Sequence, residues 1–413
     1  MLNLGIIGVG GYGWNNVLGF LALQAEGRVK ITALADVSTP ALEDCRARPE
    51  LSEARCFTDY RDLLDAPGLD AVLINVPIPF HRETTLAALE RGLAVLLEKP
   101  AVPLLSQLDE LIDADREGRV MVGFQHVYSS LAAAARASIR RGELGRLKSA
   151  STWGIWPRPT SYYHRAGWAG QLEWRGLAVL DGPCTNAFAH YINLALHLCS
   201  SEGCSTGLPV SGRGEAYRAR PDIPSYDTGF LRARLDGDIA CSFAFTHAAA
   251  RERGVTIRLA GSRGELLFAD NGRELRLPDG GVLRGEDGQM SLRRAFVAFA
   301  RGDRERNLTP LEASRPFLSA THLMLAASGG IHQIPAEHTC NVARESGEDE
   351  DGDLACAIPG IERDMARCVE NFLTPGETGL AWAADAGEMM VSEGLEAEML
   401  HGLGTGARHS VPA

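Results

Sequence analysis

Over the first third of the chain, short apolar runs alternate with stretches of helical period. Leu4–Ile7 reads as a buried strand, followed by glycines and a helical run through Val17–Leu23. Val29–Ala35 and Ala71–Asn75 are further apolar strands. Arg82–Arg91 is a helix stopped by Gly92, and Ala94–Leu97 is the next strand. Ser106–Glu117 and Val120–Phe124 give one more helix and one more strand. Strand–helix alternation with connections this short predicts right-handed βαβ units around a mostly parallel sheet.

The pattern changes near Gln125. Ser130–Arg141 is a helix closed by Gly142, and Leu147–Trp153 is a strand. A loop rich in aromatics, Arg and Gly runs from Gly154 to about Gly176. Pro183 starts an apolar helix that ends near Leu198, with proline at the first turn where its missing N–H does no harm. Longer strands follow at Glu215–Arg220, Gly229–Leu235, Ile239–Thr246, Val255–Ala260 and Glu265–Phe268. Turns such as Asp236-Gly237 predict an antiparallel arrangement. Two late helices, Ser291–Arg301 and Pro310–Ser328, return to pack on the domains.

Beyond Gly330 the periodicity weakens. Glu345 to Asp353 is an acidic run whose contiguous carboxylates read as a solvated loop, not as the alternating ligands of a calcium loop. Ile361–Leu373 and Ala383–Leu400 look like closing helices. The expected organisation is three parts: 1–125, 126–330 and 331–413.

Composition narrows the function classes. A formal net charge of -12 argues against nucleic acid as a partner, since proteins that wrap phosphate backbones carry a basic face. Nine scattered cysteines include no C-x-x-C pair; the closest two are Cys199 and Cys204, so reduced thiols are expected. The apolar start is too short for a signal segment, and no run is long enough to span a membrane. A soluble cytoplasmic chain is the expectation. Neither H-E-x-x-H nor paired Cys/His ligands appear, so no metal is expected, and no G-x-S-x-G elbow is present.

The chemistry begins at Gly8-Val9-Gly10-Gly11-Tyr12-Gly13, which satisfies G-x-G-x-x-G between a strand and a helix. Such a turn brings backbone N–H groups and the positive helix end onto a pyrophosphate. Asp36 ends the second strand, where a carboxylate hydrogen-bonds adenosine ribose hydroxyls and repels a 2′-phosphate. NAD is therefore favoured over NADP. Asn75, Pro77 and His81 leave the third strand at the edge where ligands bind in open parallel sheets. His81 either starts a helix or faces the cofactor.

Glu98-Lys99-Pro100 completes a set of motifs which, with Gly8–Gly13, Asp36, Pro77 to His81 and the helix at His190, resembles the Gfo/Idh/MocA oxidoreductases. The resemblance covers roughly residues 1–330 and is strongest in the first half. It implies an α/β fold: an N-terminal Rossmann doubly wound parallel sheet, then a C-terminal α+β domain with a largely antiparallel open sheet. It also implies NAD(P)-dependent oxidation of sugars, inositols and related polyols, and a homodimer or homotetramer. By the resemblance, Lys99 projects between nicotinamide and substrate, while Glu98 holds Lys99 or the cofactor in place.

On the second-domain helix, Asn186, His190, Asn193 and His197 follow at spacings of four, three and four, which would share one face. The family carries an Asp four residues before the His matched by His190, the expected general acid/base. Here that position is Asn186, which orients but takes no proton. Asp181 either substitutes for the missing carboxylate or caps the helix. Tyr162, Tyr163, Arg165 and Trp168 are candidate substrate contacts, since aromatic faces stack on sugar C–H surfaces and Arg and Tyr donate to hydroxyls. His247 is a weaker candidate. These residues together point to an NAD-dependent oxidoreductase of a sugar, cyclitol or related polyol. An NAD-recycling glycoside-cleaving enzyme and a non-catalytic NAD- and sugar-binding protein stay open beside it.

Overall fold

In the computed structural model, which describes residues 1–200, 207–343 and 353–405, the early strand–helix alternation becomes a six-stranded parallel sheet. In chain order the elements are β1 (Leu2–Ile7), α1 (Gly13–Ala25), β2 (Val29–Ala35), α2 (Thr39–Arg46), β3 (Arg55–Phe57), α3 (Tyr60–Leu64), β4 (Ala71–Ile74), α4 (His81–Glu90), β5 (Ala94–Leu97), α5 (Leu105–Ala114) and β6 (Val120–Val122). The strands lie in the order β3-β2-β1-β4-β5-β6. Every residue of β4, β5 and β6 is buried, as expected where helices cover both faces of a parallel sheet. That burial is why these strands are continuous apolar runs. The strand order reverses between β1 and β4, the place where open α/β sheets bind ligands.

The chain falls into two compact units, and residues 1–128 belong to the first. The second starts at Ser129, whose hydroxyl accepts from Ala132 N at 3.0 Å and caps α6 (Ser130–Arg140). There follow β7 (Leu147–Ile155), α7 (Thr160–His164), the short pair β8 (Glu173–Trp174) and β9 (Leu177–Ala178), and α8 (Ala189–Cys199). Then come β10 (Pro209–Arg218), β11 (Thr228–Leu235), β12 (Ile239–Thr246), β13 (Arg253–Gly261), β14 (Glu265–Ala269), β15 (Glu274–Arg276) and β16 (Val282–Arg284). Apart from the parallel β7–β12 pair, these strands pair antiparallel. Gly237, at φ 72°, makes the β11–β12 turn that the Asp-Gly pair predicts.

Residues 288–314 return to the first unit as α9 (Gln289–Ala300), whose Leu292, Phe296, Val297 and Phe299 join the core of Leu4, Ile6, Phe20 and Leu73. α10 (Arg315–Ser328) belongs to the second unit and is buried from Phe317 to Ser328. It crosses β10 so closely that a Cβ on Gly214 would sit 2.3 Å from Met324 O. The rest is β17 (His332–Gln333), β18 (Cys340–Val342), β19 (Ala355–Ala357), α11 (Ile361–Asn371), α12 (Pro375–Thr378), β20 (Glu388–Met390) and α13 (Leu395–Gly402). Cys204 and acidic positions 345–352 lie outside the described residues.

The expected helix Ala383–Leu400 does not form as one piece. β20 pairs with the edge of β10, and only Leu395–Gly402 is helical. Gly387 and Gly394 interrupt the helical run, and an open strand edge satisfies the backbone between them. The segment after Gly330 is part of the second unit's core. Cys356, Ile358, Ile361, Met365, Cys368, Val369 and Trp382 pack with Ile155, Tyr217, Phe230 and Ala244 of the sheet. Alternation along β10 puts Tyr217 and Glu215 on this face, while Gly214 and Ala216 meet α10. Fully buried Glu215 accepts from Tyr217 OH at 2.6 Å and from Gly376 N at 3.1 Å, tying α12 to the sheet.

Met365→Ala should therefore destabilise the second unit by about 2–5 kcal/mol, as for a fully buried aliphatic side chain. A urea melt followed by circular dichroism measures it; a loss near zero would mean this segment is not core.

Candidate active site

The first unit gathers one group of candidate residues at the C-terminal ends of β1, β2, β4 and β5. Gly8 has φ 84°, and a Cβ there would lie 2.8 Å from Asn75 O. A Cβ on Gly13 would fall 2.2 Å from Gly8 O, so the turn closes only with glycine at both positions. At Gly11, φ 55°, a Cβ would meet nothing within 4 Å. Tyr12 stands at the start of α1 without a side-chain cap and is exposed, its hydroxyl accepting from Gln289 Nε2 at 3.2 Å.

Asp36 clamps this turn. Its Oδ2 accepts from Val9 N at 2.9 Å and Gly10 N at 3.0 Å, and its Oδ1 accepts from Ser38 N at 2.8 Å. The carboxylate thus fixes the glycine turn and stays half-buried. Behind the turn lies a polar network that the sequence reading missed. Asn16 donates to Asn75 Oδ1 at 2.8 Å and Glu98 Oε1 at 2.9 Å, and its own Oδ1 accepts from Arg293 Nη2 at 2.8 Å. Asn75 Nδ2 donates to Gly8 O at 3.2 Å, and Lys99 N donates to Glu98 Oε2 at 3.2 Å. The one available signal was Asn16, a polar side chain on the buried face of α1.

His81, a candidate for facing the cofactor, is buried instead. Its Nδ1 faces Pro100 O at 2.9 Å and its Nε2 faces Val76 O at 2.9 Å. Burial pushes its pKa down, so the ring is held neutral. It ties the Val76–Pro77 loop to the backbone after Lys99, and any influence on a ligand runs through those loops. Lys99 is half-buried at the end of β5, and Lys99-Pro100 is a cis peptide.

The second unit gathers the other group. The expected continuous helix from Pro183 is broken: Pro183–Ala187 is a π-helical turn, and α8 begins only at Ala189. Phe188, at the junction, is pinned by Trp156 and Phe245 at ring-centroid distances of 4.3 and 4.5 Å. The polar face drawn from the spacing is therefore not one surface. Asn186 belongs to the π turn and is half-buried, as is His190 in the first turn of α8. Asn193 is buried. His197 Nε2 lies 3.4 Å from Arg136 Nη1, and burial with the Arg136 and Arg140 charges lowers its pKa to about 4.

Asp181 does not cap the helix, since the cap position is Gly182 and no side chain caps it. Its buried carboxylate accepts from Asn186 Nδ2 at 2.8 Å and from Gly170 N at 2.7 Å, with Arg165 Nη2 at 3.8 Å. Arg165 lies over the rings of Tyr162 at 3.7 Å and Trp168 at 4.9 Å. Tyr162 packs edge-on against Tyr163 at 5.2 Å. Tyr162, Tyr163, Arg165, Trp168 and Asn186 are thus brought together around Asp181. His247 is buried, stacked on Phe188 at 5.5 Å, with Nδ1 on Trp156 O at 2.9 Å; burial holds it neutral.

Residues 2–126 match the model described as an oxidoreductase family with an NAD-binding Rossmann fold, and residues 132–267 match the GFO/IDH/MocA C-terminal domain. The chain belongs to the Gfo/Idh/MocA oxidoreductase family. Among its relatives, inositol 2-dehydrogenase of Streptomyces avermitilis is 34% identical over 149 residues, 35% of this chain and 42% of that protein. The chain thus spans less than half the length of that Gfo/Idh/MocA relative. The 1,5-anhydro-D-fructose reductase of Ensifer adhaerens is 25% identical over 79% of this chain and 88% of its own. A solved structure, the WlbA dehydrogenase of Bordetella pertussis in complex with NADH and UDP-GlcNAcA, superposes with a TM-score of 0.66 at 22% identity. That match covers 78% of this chain and 96% of the other, and at such identity it shows the Gfo/Idh/MocA fold alone. No described helix is long and apolar enough to cross a membrane.

Two predictions follow from this geometry. Asp36→Ala removes the acceptor of three N–H groups and should weaken NADH affinity about tenfold or more while narrowing its margin over NADPH, read by fluorescence titration. His197, neutral when folded down to about pH 4, takes a proton near its ordinary 6.5 once unfolded. It therefore subtracts stability as pH falls through that window and not above it. His197→Gln should flatten the acid limb of unfolding free energy by up to about 1.4 kcal/mol per pH unit, measured by urea melts.

Proposed function

We propose that the chain is an NAD-dependent oxidoreductase that moves hydride between the nicotinamide and a sugar, cyclitol or related polyol. The observation that carries this reading is the glycine turn clamped by Asp36 at the β1/β4 switch point. The residue set fits a dinucleotide: Gly8, Gly10 and Gly13 shape the turn, their N–H groups already bonded, so that the backbone at Gly11 and Tyr12 can meet the pyrophosphate, with Asp36 for the ribose and Asn75, Pro77, Glu98 and Lys99 along the strand ends. His81 supports them from behind. The acid at Asp36 favours NAD over NADP by repelling a 2′-phosphate.

When bound, NAD supplies the hydride acceptor; everything else falls to the protein. Lys99 donates to the reacting oxygen and stabilises the negative charge that grows there as the O–H proton leaves. His190 takes that proton. Asn186 has its amide N–H committed to Asp181, which fixes the side chain and turns Oδ1 into the acceptor for a hydroxyl or a ring N–H. Asp181 then supplies the negative field that favours imidazolium. Tyr162 and Trp168 hold the Arg165 guanidinium over their rings, where it can donate to a sugar hydroxyl or carboxylate. The relatives named for inositol and anhydrofructose, and the one solved with a nucleotide sugar, support a polyhydroxylated substrate.

A panel of sugars, inositols and sugar acids with NAD and NADP, followed by NADH absorbance, tests the reading. Lys99→Ala and His190→Ala should each lower kcat by about 10²–10⁴-fold while NADH still binds. Loss of a glycoside with no net NADH would point to cofactor recycling instead. Silence across the panel with NADH bound would end the dehydrogenase reading.

A further inference from the structure

We propose that the aromatic cluster of the second unit takes a carboxylate, so that the substrate is a monoanionic polyol of the sugar-acid class. The inference rests on the oxidoreductase reading for the reacting alcohol but not for the anion. Two guanidinium groups lie over Tyr162: Arg165 at 3.7 Å and Arg158 at 4.7 Å from the ring centroid. Arg165 has Asp181 Oδ2 at 3.8 Å. Arg158 has no carboxylate partner among the described residues, and its buried Nε makes no hydrogen bond. Its position is set: the backbone N donates to His247 O at 3.1 Å and the side chain lies 5.6 Å from the Trp156 ring centroid.

Two further buried donors in the same cluster lack partners. Tyr163 is 7% exposed and its hydroxyl meets no acceptor; Trp156 Nε1 also meets none. Leaving such groups unpaired is costly, so a cluster that holds three of them is built for acceptors that arrive with a ligand. The local charge says which acceptors. Arg220, over Tyr163 at 5.0 Å, is already neutralised by Asp222 at 2.6 Å. His247 is held neutral by burial, with the Arg158 and Arg165 charges pushing the same way. Buried Asp227, whose charge acts on Tyr163, is held by Ala219 N, Arg220 N and the Thr228 hydroxyl, and Arg165 faces Asp181, so Arg158 is left as the guanidinium of the cluster with no carboxylate partner among the described residues. One unit of charge and a planar fork match a carboxylate better than a dianionic phosphate. The cluster also reaches the proposed chemistry, since Trp156 packs on Phe188 and Tyr191, which flank His190 within two residues.

Calorimetry on the NADH-saturated chain with D-glucuronate, D-galacturonate and D-gluconate, against D-glucose, D-galactose and D-glucose 6-phosphate, tests this. At least one sugar acid should bind about tenfold or more tighter than its neutral counterpart. Arg158→Gln should collapse that ratio by about ten- to a hundredfold, and Arg158→Lys should restore only part of it. NADH affinity, measured on the same variants, reports that each is folded. Equal binding of neutral sugars, an unchanged ratio in Arg158→Gln, tighter binding of the phosphate, or no binding of any sugar acid would each overturn the proposal. Sugar acids that bind without being oxidised would overturn the dehydrogenase reading and leave this one standing.

Discussion

The first unit depends on one carboxylate. Asp36 stands at the end of β2 and draws in the N–H groups of Val9 and Gly10 from the turn after β1, while Ser38 N binds its other oxygen. A turn that packs Gly13 against Gly8 O has no side chains of its own to hold it, and positive φ at Gly8 and Gly11 leaves it soft. A charged acceptor makes stronger hydrogen bonds than a neutral one and fixes the loop before any ligand arrives. The carboxylate that sets the shape of the turn is the same group proposed above to meet the ribose.

How much of this was legible in the sequence depends on whether the signal was local. β4 and β5 are buried on both faces, so each reads as an unbroken apolar run, and the parallel sheet followed directly. Gly8, Gly13 and Asp36 were legible because sterics and charge allow few other residues there. Asn16 and Arg293 were not, because their pairing spans 277 positions, and a polar residue on the buried face of each helix does not say which distant partner satisfies it. The break at Phe188 was equally hidden. Positions 186, 190, 193 and 197 satisfy a helical period, but the turn at Pro183–Ala187 is wound with one residue too many, and distant partners hold it there: Trp156 and Phe245 around Phe188, and the Tyr226 hydroxyl on Thr185.

The region after Gly330 shows the opposite failure, in which a weak local pattern hid a strong tertiary role. α11 carries Ile361, Met365, Cys368 and Val369 at helical spacing, and these fill one face of the ten-stranded sheet together with Trp382. β20 and β17 both pair with β10, so this edge is closed by the chain's own residues. None of this is readable from Glu388–Met390 alone, whose strand exists only because β10 offers it hydrogen bonds.

The substitution that separates this chain from the pattern it resembles is not a simple loss of charge. Asn186 stands where an Asp was expected, and an amide neither takes a proton nor stabilises imidazolium. Yet its N–H points to Asp181, whose carboxylate is buried, accepts from Gly170 N and has a guanidinium 3.8 Å away. The negative charge has moved five residues back along the chain and one hydrogen bond away from position 186. An amide oriented by a buried carboxylate presents an acceptor of fixed direction, polarised by the charge behind it. On the proposed function, the site thereby keeps a negative charge behind position 186 while giving up a second proton acceptor there, and His190 is the group that function leaves to move the proton.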